Sequence, residues 1–242
     1  MSETLANTTV GDIVASDFRA AGVFERYGID FCCGGRQSLG EACRAAAANP
    51  EAVIRDLEEL TAVAGKDDDM ATWSASLLIE YIESTHHTYV RAAIPRIGAF
   101  IEKLVEVHGS RHPELAFLSA AFRRLAADLI QHMRKEEQVL FPFIRDLEEH
   151  QNSHLCSTLM SPFGSVENPI RMMEHEHRDA GDELATIREL TGGFVPPADG
   201  CTTYSVCMSE LKAFERDLHR HIHVENNLLF PKAVALEEQQ RH

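Results

Sequence analysis

The sequence predicts an all-α protein, a four-helix bundle preceded by a small helical N-terminal domain. The first observation behind this prediction is a segment that occurs twice. Residues 132–142 read HMRKEEQVLFP and residues 221–231 read HIHVENNLLFP, so His, Glu and Leu-Phe-Pro recur at the same offsets. A repeat of this kind indicates an internal duplication in which each copy belongs to one structural unit.

The second observation is that each copy follows an earlier histidine at nearly the same interval. His87 precedes His132 by 45 residues, and His177 precedes His221 by 44 residues. A helix of about 25 residues, a turn and part of a second helix fit that interval. The sequence therefore predicts one helical hairpin for each copy of the repeat and its upstream histidine. Two hairpins packed together form a four-helix bundle, whose core can hold a pair of metal ions.

The repeated His and Glu lie four residues apart, His132 with Glu136 and His221 with Glu225. On a helix such residues share one face, so a nitrogen and a carboxylate oxygen can reach one metal ion together. A single pair with this spacing is more often a surface contact, and the repeated Leu-Phe-Pro favours the metal-site interpretation. Glu136 also lies in an apolar stripe, where a carboxylate needs a metal or a structural His as its partner.

Composition and charge exclude several classes of function. The chain has 242 residues and a formal net charge of −15, whereas nucleic acids and anionic membranes attract basic surfaces. It contains no apolar run of about 18 residues, and residues 1–10 lack the basic start and apolar centre of a signal peptide. Six cysteines without C-x2-C spacing indicate free thiols in a reducing compartment. We therefore expect a cytoplasmic protein that has neither nucleic acid nor a membrane as its partner.

The N-terminal part of the sequence predicts short helices around a glycine-rich turn. One helix is predicted over residues 9–27, and two more over residues 39–48 and 50–63. Between them, residues 31–35 read FCCGG, in which two glycines permit a tight turn beside two adjacent thiols.

Two interpretations of Cys32 and Cys33 stay open at this point. Adjacent cysteines point apart and do not readily chelate one metal, and a disulfide between neighbours is strained. They are either small buried hydrophobic residues, as free cysteines often are, or a thiol pair for redox chemistry or metal transfer. The second role requires exposure and a lowered thiol pKa.

A polar hinge at residues 65–69 indicates the boundary between a small helical domain, residues 1–66, and the bundle, residues 67–242. Apolar stripes at helical spacing predict the four bundle helices. These helices cover residues 74–108, 114–149, 168–190 and 203–238, with a long loop at residues 150–166.

The inward histidine of the first bundle helix is ambiguous. The apolar stripe of this helix passes through His86, so periodicity alone prefers His86 over His87. On the third helix Glu176 lies beside the stripe that includes His177, and we expect it at the edge of the stripe or in solvent.

Four neutral imidazoles and two carboxylates are ligands that suit iron or manganese, with zinc as a further candidate. Our hypothesis is a site for two non-haem iron ions, bridged by Glu136 and Glu225, with two histidines on each ion. Water, or an oxo or hydroxo bridge, would fill some of the remaining positions and leave room for a small ligand such as O2 or nitric oxide.

The two His…His-x3-Glu halves resemble the hemerythrin-like di-iron bundle. Residues 27–35, YGIDFCCGG, resemble the cysteine motif that begins the repair-of-iron-centres proteins, which are di-iron proteins for iron–sulfur cluster repair. This resemblance covers nearly the whole chain. It implies that Cys32 and Cys33 are candidates for redox or iron-transfer thiols, and it selects His87 over His86. The ligand set that it implies is His87, His132, Glu136, His177, His221 and Glu225.

The resemblance also implies a function. We expect a cytoplasmic stress protein that helps to repair iron–sulfur clusters damaged by nitrosative or oxidative stress, by supplying iron to the damaged proteins. An alternative is a nitric-oxide-binding scavenger or sensor, and another is an enzyme that reduces nitric oxide to nitrous oxide. Oxygen-carrying hemerythrins use five histidines, so four histidines and a second Glu argue against reversible oxygen storage. Whether the protein is an enzyme, and whether it forms a homodimer, are left open by the sequence.

Overall fold

The computed structural model describes residues 2–62, 70–153 and 162–240, and within these ranges the chain is helical without a β-strand. The predicted all-α fold class is therefore confirmed. The predicted hinge at residues 65–69 and part of the predicted loop at residues 150–166 lie outside the described residues. None of the described helices combines the length and the apolar character that crossing a membrane requires.

Five short helices form the N-terminal region as far as residue 62. They are α1 (Ser2–Asn7), α2 (Val10–Ser16), α3 (Ala20–Arg26), α4 (Leu39–Ala45) and α5 (Pro50–Ala62). A capping box begins α4, because the Ser38 side chain accepts the N–H of Glu41 while the Glu41 carboxylate accepts the N–H of Ser38.

The prediction of one continuous helix over residues 9–27 is wrong, because a bend separates α2 from α3. Asp17 is extended, with φ −158° and ψ 102°, and its carboxylate accepts the backbone N–H of Arg19 at 3.0 Å. A short polar side chain that bonds the nearby backbone in this way competes with continuation of the helix. The bend brings the ring of Phe18 to 6.5 Å from that of Phe31.

The four bundle helices follow, and in the described part of the chain three of them contain a π-helical segment. They are α6–π1–α7 (Ala75–Tyr81, Ile82–His87, Thr88–His108), α8–π2–α9 (Glu114–Lys135, Glu136–Leu140, Phe141–Asn152), α10 (Glu167–Leu190) and α11–π3–α12 (Thr202–Val224, Glu225–Leu229, Phe230–Gln239). The second helix extends beyond its predicted end at residue 149. The other three agree with the predicted ranges to within one residue at each end.

Two of the π-helical segments end shortly before a proline. Pro142 follows π2 and Pro231 follows π3 by two residues each, at equivalent points of the duplication. Proline donates no backbone hydrogen bond, and its ring crowds the carbonyl four residues earlier in an α-helix. A wider π-turn relieves that crowding, and such turns occur frequently at functional sites.

The chain divides into two compact units. The first consists of Met1–Ile79, Leu147–Met160 and Arg220–His242, and the second consists of Glu80–Asp146 and Ser161–His219.

In the first unit, polar side chains from distant parts of the chain bind backbone groups at and just before the start of α6. The Glu148 carboxylate accepts the N–H groups of Ala75 and Ser76, at 2.7 and 2.9 Å, at the start of α6. Lys232 donates to the carbonyl of Trp73 at 2.7 Å. Within this unit, these contacts join the start of the first bundle helix to the second and the fourth.

The second unit contains parts of all four bundle helices, packed around aromatic rings. Phe214 of α11 lies 5.7 Å from Phe122 of α8 and 6.4 Å from Tyr89 of α7, between ring centroids. Ion pairs join the outer surfaces, Arg96 with Glu210 at 2.8 Å among them.

Candidate metal centre

Three imidazoles converge on one buried carboxylate in the second unit. His87 and His132 place Nε2 at 3.3 and 3.1 Å from the two oxygens of Glu136. His177 places its Nε2 3.0 Å from Nε2 of His132. All four side chains are buried, and Glu136 is 0% exposed. The structure therefore brings these four predicted ligands together.

The donor spacing in this cluster suits a metal ion. At bond lengths of about 2.1 Å, adjacent ligands of an octahedral ion lie about 3.0 Å apart. The three contacts above, between 3.0 and 3.3 Å, match that spacing. A carboxylate with no exposure also needs a compensating positive charge. His132, Glu136 and His177 belong to a group whose donor atoms all lie within 4.8 Å of one another.

The outer nitrogens of two imidazoles bind carboxylates. Nδ1 of His87 lies 2.7 Å from Glu137, and Nδ1 of His132 lies 2.9 Å from Glu176. A carboxylate accepts, so the proton lies on Nδ1 and the lone pair of Nε2 is left for a metal. This arrangement is typical of metal-bound histidine.

Glu137 and Glu176, the carboxylates that bind these outer nitrogens, are themselves held ionised. The hydrogen bond from His132, together with Lys135, lowers the pKa of Glu176 to about 2 against the effect of burial. For Glu137, burial opposes the change, but hydrogen bonds from Arg91 and His87 bring its pKa below the ordinary value.

His86 and His87 are both buried, which a helix of uniform period does not predict. His87 faces Glu136, whereas Nδ1 of His86 lies 3.0 Å from Asp217. Both residues lie in π1, where hydrogen bonds to the fifth residue place more residues in each turn. An apolar stripe with an α-helical period throughout prefers His86 because it leaves out this π-helical turn.

A cavity of about 310 Å³ opens to solvent beside His132 and His177. Its wall includes Asp128, Asp179 and Glu183. Lys135 also lines the cavity and pairs with Glu176. Carboxylates still outnumber cations in this wall, so the opening attracts cations, and it leads to two of the imidazoles in the cluster.

The remaining two predicted ligands lie in the first unit. Nε2 of His221 is 2.9 Å from Oε1 of Glu225, and both side chains are buried. Thus the second copy of the repeat forms the same His–Glu contact as the first.

The residues after Glu225 bind the N-terminal cysteine loop, also within the first unit. Asn226 and Asn227 each donate to the carbonyl of Cys32 at 3.3 Å. Asn227 also donates to the carbonyl of Phe31 at 3.4 Å. In the first copy of the repeat, Glu137 occupies the position of Asn226 and binds a histidine instead. The two copies have therefore acquired different polar contacts.

Both glycines of the FCCGG segment are required by close contacts. A Cβ atom on Gly35 would lie 2.2 Å from Oδ1 of Asn227, and one on Gly34 would lie 2.7 Å from the carbonyl oxygen of Asp30. The Asp30 carboxylate accepts the N–H groups of Cys32, Cys33 and Gly34 at 2.9 to 3.0 Å.

The two thiols of this loop lie close together in different environments. Cys32 Sγ lies 4.0 Å from Cys33 Sγ and 3.3 Å from Asp30 Oδ1. Cys32 is buried and Cys33 is partly exposed. The hydrogen bond with Cys33, burial and Asp30 all raise the pKa of Cys32. In this conformation of the loop, Cys32 is a protonated thiol.

Sequence reasoning missed the residues that orient and hold the candidate site. Glu137 and Glu176 each adjoin a predicted ligand in the chain, which was an available signal. Asn226 and Asn227 are adjacent amides directly after the predicted ligand Glu225, which was another. Their partners, however, lie on other elements, and no local spacing predicts those contacts.

Comparison with known proteins gives matches over both parts of the chain. Residues 77–233 match the family model described as "Hemerythrin HHE cation binding domain". Residues 6–61, which include Cys32 and Cys33, match the model described as "Domain of Unknown function (DUF542)".

Several curated relatives match along nearly their whole length. The chain is 33% identical to the "Iron-sulfur cluster repair protein YtfE" of Musicola paradisiaca over 93% of this chain and 96% of the relative. It is 32% identical to a "Probable iron-sulfur cluster repair protein" of Haemophilus influenzae over 96% and 98%. It is 30% identical to the "Iron-sulfur cluster repair protein ScdA" of Staphylococcus haemolyticus over 92% and 96%.

Proposed function

This chain belongs to the family of iron–sulfur cluster repair proteins and carries a hemerythrin HHE cation binding domain, and from that premise we propose that it supplies iron for the repair of iron–sulfur clusters damaged by nitrosative or oxidative stress. The recipients are the damaged proteins, and the compartment is the cytoplasm. The observation that carries the proposal is the convergence of His87, His132 and His177 on the buried Glu136.

Two iron ions form the proposed centre, and six side chains hold them. Four are the clustered residues of the second unit, and the duplication supports His221 and Glu225 as the other two. The match to the cation-binding domain, residues 77–233, encloses all six. Glu136 and Glu225 would supply the carboxylate ligands, and the four histidines would supply the nitrogen ligands. The bound pair would supply a labile source of ferrous iron and a place for nitric oxide or O2.

The acidic opening supports a role in iron transfer. A cation that leaves the protein needs a route with favourable electrostatics, and Asp128 and Asp179 line the cavity next to His132 and His177. Glu176 forms part of the same wall while it binds His132. Displacement of that carboxylate would loosen a ligand at the mouth of the opening.

The cysteine loop is the second part of the proposal. Asn226 and Asn227 hold Cys32 and Cys33 against the helix that carries Glu225. Because Cys32 is buried and protonated in this position, we propose that the thiols act in redox chemistry or iron transfer only when the loop leaves the two amides.

The test begins with metal analysis of the purified protein, for which we expect two irons per chain. The loaded protein is then incubated with an apo iron–sulfur protein, and iron transfer is followed by recovery of the acceptor's cluster. Iron that stays bound while the acceptor remains inactive would contradict the proposal. Exposure of the reduced protein to nitric oxide separates the alternatives, since a stable nitrosyl indicates capture and released nitrous oxide indicates reduction.

A further inference from the structure

A second chemically distinctive site lies in the second unit, among residues that the proposed iron centre does not use. Cys201 is exposed and directly precedes α11. Its Sγ lies 3.3 Å from Nε2 of His108, the last residue of α7. The other cysteine of this helix, Cys207, is fully buried.

The imidazole of His108 is arranged to donate to this sulfur. His108 is 4% exposed, and among the described residues its Nδ1 has no hydrogen-bond partner. A proton on Nδ1 would be a buried N–H without an acceptor, which is costly. The proton therefore favours Nε2, from which it points at Sγ of Cys201. An N–H in that position stabilises a thiolate rather than a thiol.

The start of α11 adds to this effect. The carbonyl of Cys201 accepts the N–H of Ser205 at 3.2 Å, which is the first bond of the helix. The backbone N–H groups of Tyr204 and Thr203, at the start of α11, also favour the thiolate, and a helix N-terminus carries partial positive charge. The hydrogen bond from His108 and these backbone groups together lower the pKa of Cys201 from its ordinary value of 9.0 to about 7.

The charged groups around the dyad do not oppose a thiolate. His112, whose ring lies 6.3 Å from that of His108, is held between Glu114 at 2.8 Å and Asp199 at 3.0 Å. These carboxylates raise the pKa of His112. Asp199 also pairs with Arg111 at 3.2 Å. Each nearby negative charge therefore has a positive partner, and the remaining neighbour, Tyr204, is neutral.

We propose that Cys201 and His108 form a reactive surface thiolate that exchanges with low-molecular-weight disulfides, so that Cys201 becomes a mixed disulfide. The thiolate attacks one sulfur of the disulfide, a new S–S bond forms, and the old one breaks. The electron pair of the broken bond leaves with the released thiolate, which takes a proton from water. A thiol whose pKa lies near the ambient pH is the most effective attacking group in such exchange.

The test uses the full-length, iron-loaded protein with oxidised glutathione as the probe. Mixed disulfide on each cysteine is quantified by mass spectrometry over a pH series. We expect the rate at Cys201 to rise with a midpoint near pH 7, where Cys207, whose burial raises its pKa to about 12, stays unmodified.

The variant His108→Phe removes the donor and keeps a ring of similar size. In this variant the midpoint of the rate against pH should move towards pH 9, the ordinary pKa of a cysteine. At neutral pH the loss of thiolate outweighs the gain in nucleophilicity, so exchange should slow by about five- to tenfold. Cys207→Ala is the control and should leave the rate at Cys201 unchanged. If exchange at Cys201 in the wild-type protein has its midpoint near pH 9, that result alone overturns the proposal.

Discussion

The carboxylate of Glu176 lies 2.9 Å from Nδ1 of His132, and Glu176 directly precedes His177 in the chain. One helix therefore carries a predicted ligand and also the group that orients a predicted ligand on another helix. Likewise, Glu137 directly follows the predicted ligand Glu136 in the chain, and its carboxylate lies 2.7 Å from Nδ1 of His87 on another helix. His87 and His132 are thus each oriented by a carboxylate on another helix, and a change in that carboxylate should alter metal binding at a residue that it does not adjoin in sequence.

We expect Glu176→Gln to weaken iron binding by about 10- to 100-fold, because loss of an orienting carboxylate typically has that effect on a metal-bound histidine. The amide can still accept a hydrogen bond but no longer carries the charge that favours Nδ1–H of His132. The measurement is iron affinity by competition with a chelator. Glu189→Gln, an exposed change on the same helix, is the matched control. Equal affinities in the two variants would mean that Glu176 has no orienting role.

The double variant Glu136→Leu with Glu225→Leu should fold and bind little iron. Both carboxylates are buried, and leucine keeps apolar volume at each position while it removes the ligand oxygens. Metal analysis and circular dichroism on the same sample provide the two readouts. The control places the same pair of changes at exposed positions of the same helices, Glu149→Leu with Glu238→Leu. Normal iron content in the buried variant would rule out the proposed ligand set.

The sequence predicted the bundle well because apolar stripes record which helix faces are buried. The third and fourth bundle helices begin and end within one residue of the predicted limits. Two of the features that it failed to predict have clear physical reasons. The bend at Asp17 depends on one side chain that binds the backbone two residues later. The π-helical turns change the period on which the stripe argument relies, as His86 and His87 show.

The candidate site was predicted in part. The repeat indicated His132, Glu136, His221 and Glu225 directly, and the structure confirms a close His–Glu contact in each copy. The interval between histidines suggested a ligand on the first helix but left two neighbours to choose from. The assignment of all six residues to a pair of irons stays a prediction until metal is measured.

Gly35→Ala should detach the cysteine loop from Asn227. The new Cβ would lie 2.2 Å from the amide oxygen, so the side chain must move and lose its bonds to the carbonyls of Phe31 and Cys32. We expect faster labelling of Cys32 by a thiol reagent, because release of the loop disturbs the hydrogen bond with Cys33 and removes the burial, both of which raise the pKa of Cys32. The loss of stability should be about 1 kcal/mol for each hydrogen bond broken, with iron content unchanged.

Two further variants make the Gly35→Ala result specific. Gly22→Ala in α3 places a Cβ where nothing lies within 4 Å, and it should leave Cys32 protected. Asn227→Ala removes the other side of the contact and should expose Cys32 as Gly35→Ala does. If Gly35→Ala leaves the labelling rate of Cys32 unchanged, the loop is not held by this contact.

Glu148 should stabilise the first bundle helix through the N-terminus of α6. Its carboxylate accepts the N–H groups of Ala75 and Ser76, which have no partner within the helix. Glu148→Ala should therefore lower the free energy of unfolding by about 1–2 kcal/mol at neutral pH. Urea titrations of wild type and variant provide this difference, and the exposed change Glu149→Ala should leave it near zero.

The stabilisation by Glu148 should disappear in acid. Burial opposes the shift, but hydrogen bonds from Ser76 and Ala75 lower the pKa of Glu148 in the folded protein below its ordinary value of 4.5. A carboxyl whose folded-state pKa is depressed stabilises the fold fully above the unfolded-state pKa, and less as the pH falls through the folded-state value. The difference between wild type and Glu148→Ala should therefore be constant above about pH 5 and shrink below it. Both proteins are compared at each pH with a chelator present, so that release of metal affects neither curve. A difference that persists unchanged in strong acid would show that the side chain contributes through packing and not through its charge.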